Sequence, residues 1–175
     1  MGRIAAWLGR ILDAVPPAEM GGLHLDGPSW EVSFRGVDQA EFFRALPKLV
    51  PEECCLVLEG GAHPPGLENL LTRLDIAPQA RIARGTVWPR ARVVHVPATT
   101  AVLGELAEQA EHCAAPELCD HLHIYDGEGV VLQWYDAFSG PVYVSKRVPM
   151  QRLEAFCQGL NTSFEASDAE QRRYQ

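Results

Sequence analysis

Three short strand-like segments follow one another between His121 and Arg147, and this run constrains the fold more than any other feature. They are His121–Asp126 (HLHIYD), residues 130–138 (VVLQWYDAF) and residues 141–147 (PVYVSKR), all rich in β-branched and aromatic residues. Asp126-Gly127-Glu128-Gly129 and Ser139-Gly140 separate them, and glycine supplies the positive φ that tight turns need. Connections this short join only antiparallel neighbours, so the run predicts a β-meander. Pro149 then opens a helix to about Leu160, because proline suits the first helical position.

Upstream, strand and helix patterns alternate. Residues 30–35 (WEVSFR) read as a strand. Asp38 caps a helix to about Leu49, which Pro47 is expected to shorten. Residues 54–59 (CCLVLE) form a continuous apolar run of the kind a central strand shows. A Gly/Pro loop over 60–66 leads to helical spacing at Leu67, Leu70, Leu71 and Leu74. After a connector over 81–90, residues 92–96 (RVVHV) read as a strand. Thr99 or Thr100 can then cap a helix to about Cys113. Pro51-Glu52-Glu53-Cys54 and Pro116-Glu117-Leu118-Cys119 each precede a strand, a weak internal echo.

These elements predict an α+β fold. Two strand–helix–strand units share one sheet, with a ferredoxin-like arrangement as one form, extended by the C-terminal β-meander and helix. An open α/β sheet, mostly parallel with an antiparallel edge, is the alternative. The 175 residues suit one domain over 1–160. It opens with an amphipathic helix carrying Ile4, Trp7, Leu8, Ile11, Leu12 and Val15 on one face. Residues 161–175 are polar and expected to fray.

Five cysteines, an odd number without a CxxC pair, do not form a disulfide framework. Reduced thiols, and the lack of a signal-peptide pattern, suggest a cytoplasmic protein. No apolar run reaches the roughly 20 residues that span a bilayer, so no membrane partner is expected. A net charge of −8 disfavours binding nucleic acid by phosphate neutralisation.

The charge is unevenly placed. Residues 93–145 contain no Lys or Arg but eight acids: Glu105, Glu108, Glu111, Glu117, Asp120, Asp126, Glu128 and Asp136. Their sum of −8 equals that of the whole chain. Arg73, Arg81, Arg84, Arg90 and Arg92 lie just upstream and can offset them internally. If they do not, this region suits a basic protein partner.

A two-residue turn at Gly127-Glu128 pairs Tyr125 with Val130, His123 with Leu132 and His121 with Trp134. One face then carries His121, His123, Tyr125, Leu132, Trp134, Asp136, Phe138, Tyr143 and Arg147. The more aliphatic face, with Leu122, Ile124, Val131, Gln133, Tyr135, Ala137, Val142 and Val144, is assigned to the core. Aromatic bodies with polar tips suit an interface, unless a terminal helix covers them.

The leading expectation is therefore a small acidic protein-binding module, with an immunity protein or antitoxin as its concrete form. Its partner-binding residues would be Glu105, Glu108, Glu111, Tyr125, Asp126, Glu128, Trp134, Asp136 and Tyr143. A metal protein or hydrolytic enzyme using the His/Cys cluster 112–123 is an alternative. Cys119, His121 and His123 are its zinc candidates, although their spacing fits a zinc site poorly. No cofactor is otherwise expected, and no GxSxG, HExxH or P-loop pattern occurs to argue for an enzyme. A structural subunit of a homo-oligomer is the third reading.

Overall fold

The computed structural model describes residues 22–34, 36–83, 85 and 91–167. The proposed amphipathic helix near the N-terminus lies outside them, as do Arg84 and Arg90. The elements are β1 (Ser29–Val32), α1 (Gln39–Leu49), β2 (Cys55–Glu59), α2 (Pro65–Leu74), β3 (Val93–Pro97), α3 (Thr100–Ala110), α4 (Ala115–Leu118), β4 (His121–Asp126), β5 (Gly129–Trp134), β6 (Val142–Ser145), α5 (Met150–Gly159) and β7 (Phe164–Ser167). The fold is α+β.

The strands form one open sheet in the order β3-β2-β4-β5-β6-β1-β7. Every strand pair is antiparallel, which replaces the mostly parallel alternative. Both strand–helix–strand units form. In the second, β3 and β4 run the same way and flank β2. In the first, β1 and β2 also run the same way, but three strands separate them, where a ferredoxin-like pair encloses one. The meander β4-β5-β6 fills that gap, because hairpin strands must lie side by side.

Local chemistry explains the elements. The Asp38 carboxylate accepts from the backbone N–H groups of Ala40 (2.9 Å) and Glu41 (3.1 Å), which starts α1. The helix runs through Pro47 to Leu49 rather than stopping short. Its last turn is held by burial of Leu46 and Leu49, and the Val50 N–H still reaches the Leu46 carbonyl at 3.0 Å. Thr99 caps α3 through the Val102 N–H. The Asp126 carboxylate accepts from Glu128 N–H and Gly129 N–H, which closes the β4–β5 turn.

The helices pack on one side of the sheet. Phe42, Phe43, Leu46, Leu67, Leu71, Leu103, Leu106, Leu153 and Phe156 meet Leu56, Leu58, Val94, Val96, Leu122, Ile124, Leu132 and Trp134 there. The opposite side carries a smaller cluster, including Cys55, Val57, Tyr125, Val130 and Tyr143, under two non-helical segments that contribute Leu25 and Ile82. These segments are joined by a parallel bridge between Leu23 and Ile82. Among the described residues these segments, and not the C-terminal helix α5, cover the second face. Within the tail expected to fray, residues 164–167 supply β7, which pairs with β1 from Ser29↔Ser167 to Val32↔Phe164; residues 168–175 lie outside the described residues.

The hairpin pairing also differs from a regular two-residue hairpin. Tyr125 does oppose Val130, but a bulge between Ile124 and Tyr125 then shifts the register by one. Ile124 faces Leu132, His123 faces Gln133 and Leu122 faces Trp134. A one-residue slip moves every later side chain to the other face. Trp134 and Leu132 therefore join the helix-side core, and Gln133 takes a place beside His123.

Candidate ligand cleft

The side of the sheet opposite the described helices is polar for a buried surface. Glu59, His95, His121, His123 and Gln133 are all buried there, beside Cys55, Val57, Tyr125 and Tyr143. Cross-strand pairing orders them. Val57 lies between His95 on β3 and His123 on β4, while Glu59 opposes His121. Strand alternation places all of them on this face, because residues two apart point the same way.

Residues 76–83 and 85 run across this surface as a strap. Ile76 N–H donates to the His95 carbonyl at 2.8 Å, and Gln79 N–H donates to the Tyr125 hydroxyl at 3.2 Å. Gly85 N–H donates to the Glu59 carboxylate at 3.0 Å. Gly85 needs its missing side chain, since a Cβ there would overlap the His121 ring. On the other edge, Leu25 N–H donates to the Gln133 side-chain oxygen at 2.9 Å.

Between strap and sheet lies a cleft of about 550 Å³. Val57, Glu59, Val93 and His95 form its floor, and Pro78, Gln79, Ala80, Arg81, Ile82 and Ala83 its walls. Only 2% of Glu59 and 6% of His95 is exposed, so both ionisable groups sit in a largely desolvated setting. His95 Nδ1 lies 3.2 Å from the Tyr125 hydroxyl and 3.9 Å from Cys55 Sγ. Its backbone N–H donates to Asp75 at 3.1 Å. Burial lowers the His95 pKa and raises that of the Cys55 thiol. The Tyr125 phenol is pushed up to about 12, chiefly by burial. At neutral pH the three side chains are thus uncharged hydrogen-bonding groups.

Deeper along β4, His121 Nδ1 accepts the Asp136 N–H at 3.1 Å. His121 and His123 both meet the Tyr135 ring edge-on, at 5.4 and 5.3 Å. Neither ring nitrogen of His123 has a hydrogen-bond partner among the described residues. Burial, with a further contribution from His121, lowers its pKa to about 3.

The structure does not gather the expected partner-binding residues into one surface. Glu105 pairs with Arg73 and Glu111 with Arg44, both outside the cleft on the helix side. Asp126 and Glu128 are held by Arg147 at the β4–β5 turn. Glu108 and Asp136 are exposed and form no ion pair among the described residues. Tyr125 and Tyr143 are buried beneath the covering segments. Trp134 is fully buried in the opposite core against Phe34 (4.7 Å), Phe42 (5.0 Å) and Phe138 (4.7 Å), so it cannot serve as a surface anchor.

The zinc candidates are divided in the same way. Cys119 lies in the helix-side core, while His121 and His123 project from the other face of the sheet. Among the described residues no three His, Cys, Asp or Glu side chains are grouped to hold a metal ion. No helix among them is long and apolar enough to cross a membrane.

Sequence reasoning missed Glu59, His95, Gln79 and Cys55 as site residues. A faint signal existed: Glu59 ends an apolar run, and His95 interrupts another. Neither signal reveals that β2 and β3 are neighbours. Compared with protein-family models, curated proteins and solved structures, the chain gives no match.

Proposed function

We propose that this chain binds a small molecule in the cleft between the strap and strands β2 and β3. One observation carries the reading: two buried ionisable side chains, Glu59 and His95, line one cleft together with Val57, Val93 and Ile82. Apolar pockets with a few convergent polar groups are the usual form of small-ligand sites. The neutral state of His95 and the raised thiol pKa of Cys55 suit hydrogen-bonded recognition rather than nucleophilic attack. The test is a fragment screen by ligand-observed NMR, repeated on Val93→Trp, which fills the floor. Fragments that bind the native chain and not the variant support the reading. A screen with no fragment lost in the variant removes it.

A second reading keeps the basic protein partner. Asp120 and Asp136 are exposed, and the Ala137 N–H donates to the Asp120 carbonyl at 2.8 Å, which holds the two acidic residues at one end of the sheet. Neither has a cation among the described residues. A basic protein captured at low salt should associate more slowly with Asp120→Lys/Asp136→Lys. An unchanged association rate eliminates this reading.

A further inference from the structure

We infer that Tyr125 is a positioning residue that locks His95 as its Nε2–H tautomer, so that the cleft presents a hydrogen-bond donor and selects ligands carrying an acceptor. The inference rests on the cleft being the binding site. Its first half, the tautomer, stands on hydrogen-bond accounting alone.

A phenol oxygen accepts at most two hydrogen bonds and donates one. Gln79 N–H donates to the Tyr125 oxygen at 3.2 Å. The strap therefore takes one accepting site of this oxygen. Its own O–H needs an acceptor, and a phenol donates to an imidazole nitrogen more strongly than it accepts from one. His95 Nδ1, at 3.2 Å, is the strongest acceptor beside it. Cys55 Sγ competes poorly: thiol sulfur is a weak acceptor, and the S–H is directed to the Leu56 carbonyl at 3.7 Å. The chain thus runs from Gln79 N–H to Tyr125 O–H to His95 Nδ1. A neutral imidazole has one proton, so it is on Nε2, at the ring edge away from Tyr125. Because His95 lines the cleft, this N–H is the donor offered to a ligand. Leaving such a donor unmatched costs binding energy, which selects against ligands that bring no acceptor.

The experiment is long-range ¹H–¹⁵N NMR of the histidine rings in the full chain, with His95→Gln to assign the signal. In the native chain Nδ1 should resonate as a bare, pyridine-type nitrogen and Nε2 as a protonated one. In Tyr125→Phe the tautomers should mix. N,N-dimethylbenzamide, which only accepts, should shift Nε2–H. Cumene, matched in its apolar ring but with no acceptor, should bind at least tenfold more weakly. A protonated Nδ1 in the native chain overturns the inference, whether or not the variant folds. An unchanged tautomer in a folded Tyr125→Phe also overturns it, as does tighter binding of cumene. If the tautomer behaves as expected and neither probe binds, the lock on His95 is supported, and it is the cleft as a binding site that fails.

Discussion

Trp134 on β5 stands directly opposite Leu122 on β4, and its indole Nε1–H donates to the Gly140 carbonyl at 2.9 Å. The ring thus ties the helix-side core to the loop after β5. Phe138 closes the same contact from a left-handed backbone (φ 67), a conformation that its packing on Trp134 and Phe42 must compensate. Trp134→Ala should lose about 3–5 kcal/mol, as large-to-small aromatic changes in cores do. Trp134→Phe keeps most of the apolar contact and should lose less. Urea denaturation measures both, and equal losses would mean that the Gly140 bond rather than the ring volume dominates.

Stability should fall as the medium becomes acidic, and His123 gives the reason. The unfolded chain takes up a proton on this residue near pH 6.5, the folded chain only near pH 3. Between these values the unfolded state binds more protons, so lowering the pH favours unfolding. The stability is complete above about pH 6.5 and is lost progressively towards pH 3. A shift of this size corresponds to a few kcal/mol, on the order of 1.4 kcal/mol per unit. His123→Leu removes both the titration and two buried nitrogens without partners. Its melting temperature at pH 7 should be equal to or above that of the native chain. Its loss between pH 6.5 and pH 4 should be smaller, and an unchanged acid slope would exclude His123 as the cause.

Arg147 bridges Asp126 (3.2 Å) and Glu128 (3.0 Å), but 38% of its side chain and 82% of that of Glu128 are exposed. Ion pairs this open contribute at most about 1 kcal/mol. Asp126 also holds the turn through two backbone N–H groups. Asp126→Asn keeps an acceptor oxygen for the turn and should cost only about 0.5 kcal/mol, an effect that high salt removes. Asp126→Ala loses the turn bonds as well and should cost roughly 1–2 kcal/mol at any salt. Thermal melts at two salt concentrations separate the two contributions.

Gly85 sets how closely the strap lies on the sheet. A methyl group there meets the His121 ring, so Gly85→Ala must move either the strap or the ring. The expected cost is about 1–3 kcal/mol. The Gly85 amide should also exchange with solvent faster, because its bond to Glu59 lengthens. Native-like exchange at this amide would show that the ring can give way freely.

The β4–β5–β6 meander was legible in the residues themselves, but its second connection is longer than read: β5 stops at Trp134, and residues 135–141 turn through positive φ at Asp136 and Phe138 rather than at Gly140. The caps Asp38 and Thr99 were also legible locally. Pro47 misled because a proline in the last turn costs little when Leu46 and Leu49 are buried on both sides of it. The tail misled because residues 164–167 have little strand character alone and become a strand only when β1 offers an edge. Charge patterning identified the acids and one counter-ion, Arg73 of the upstream cluster, which pairs with Glu105; Arg44 and Arg147 reach Glu111 and Asp126 from elements the pattern did not connect to them.

What the chain carried in its own order of residues was local: strand alternation, turn chemistry, helix caps and the total charge. The tertiary structure decided which strands are neighbours, and therefore that Glu59, His95 and Tyr125 share one face. It also decided the bulge at Ile124/Tyr125, which placed Trp134 in the core and Gln133 beside His123. The physical reason is the period of two along a strand. Either register satisfies the turn, and only packing of the helices against one face selects between them.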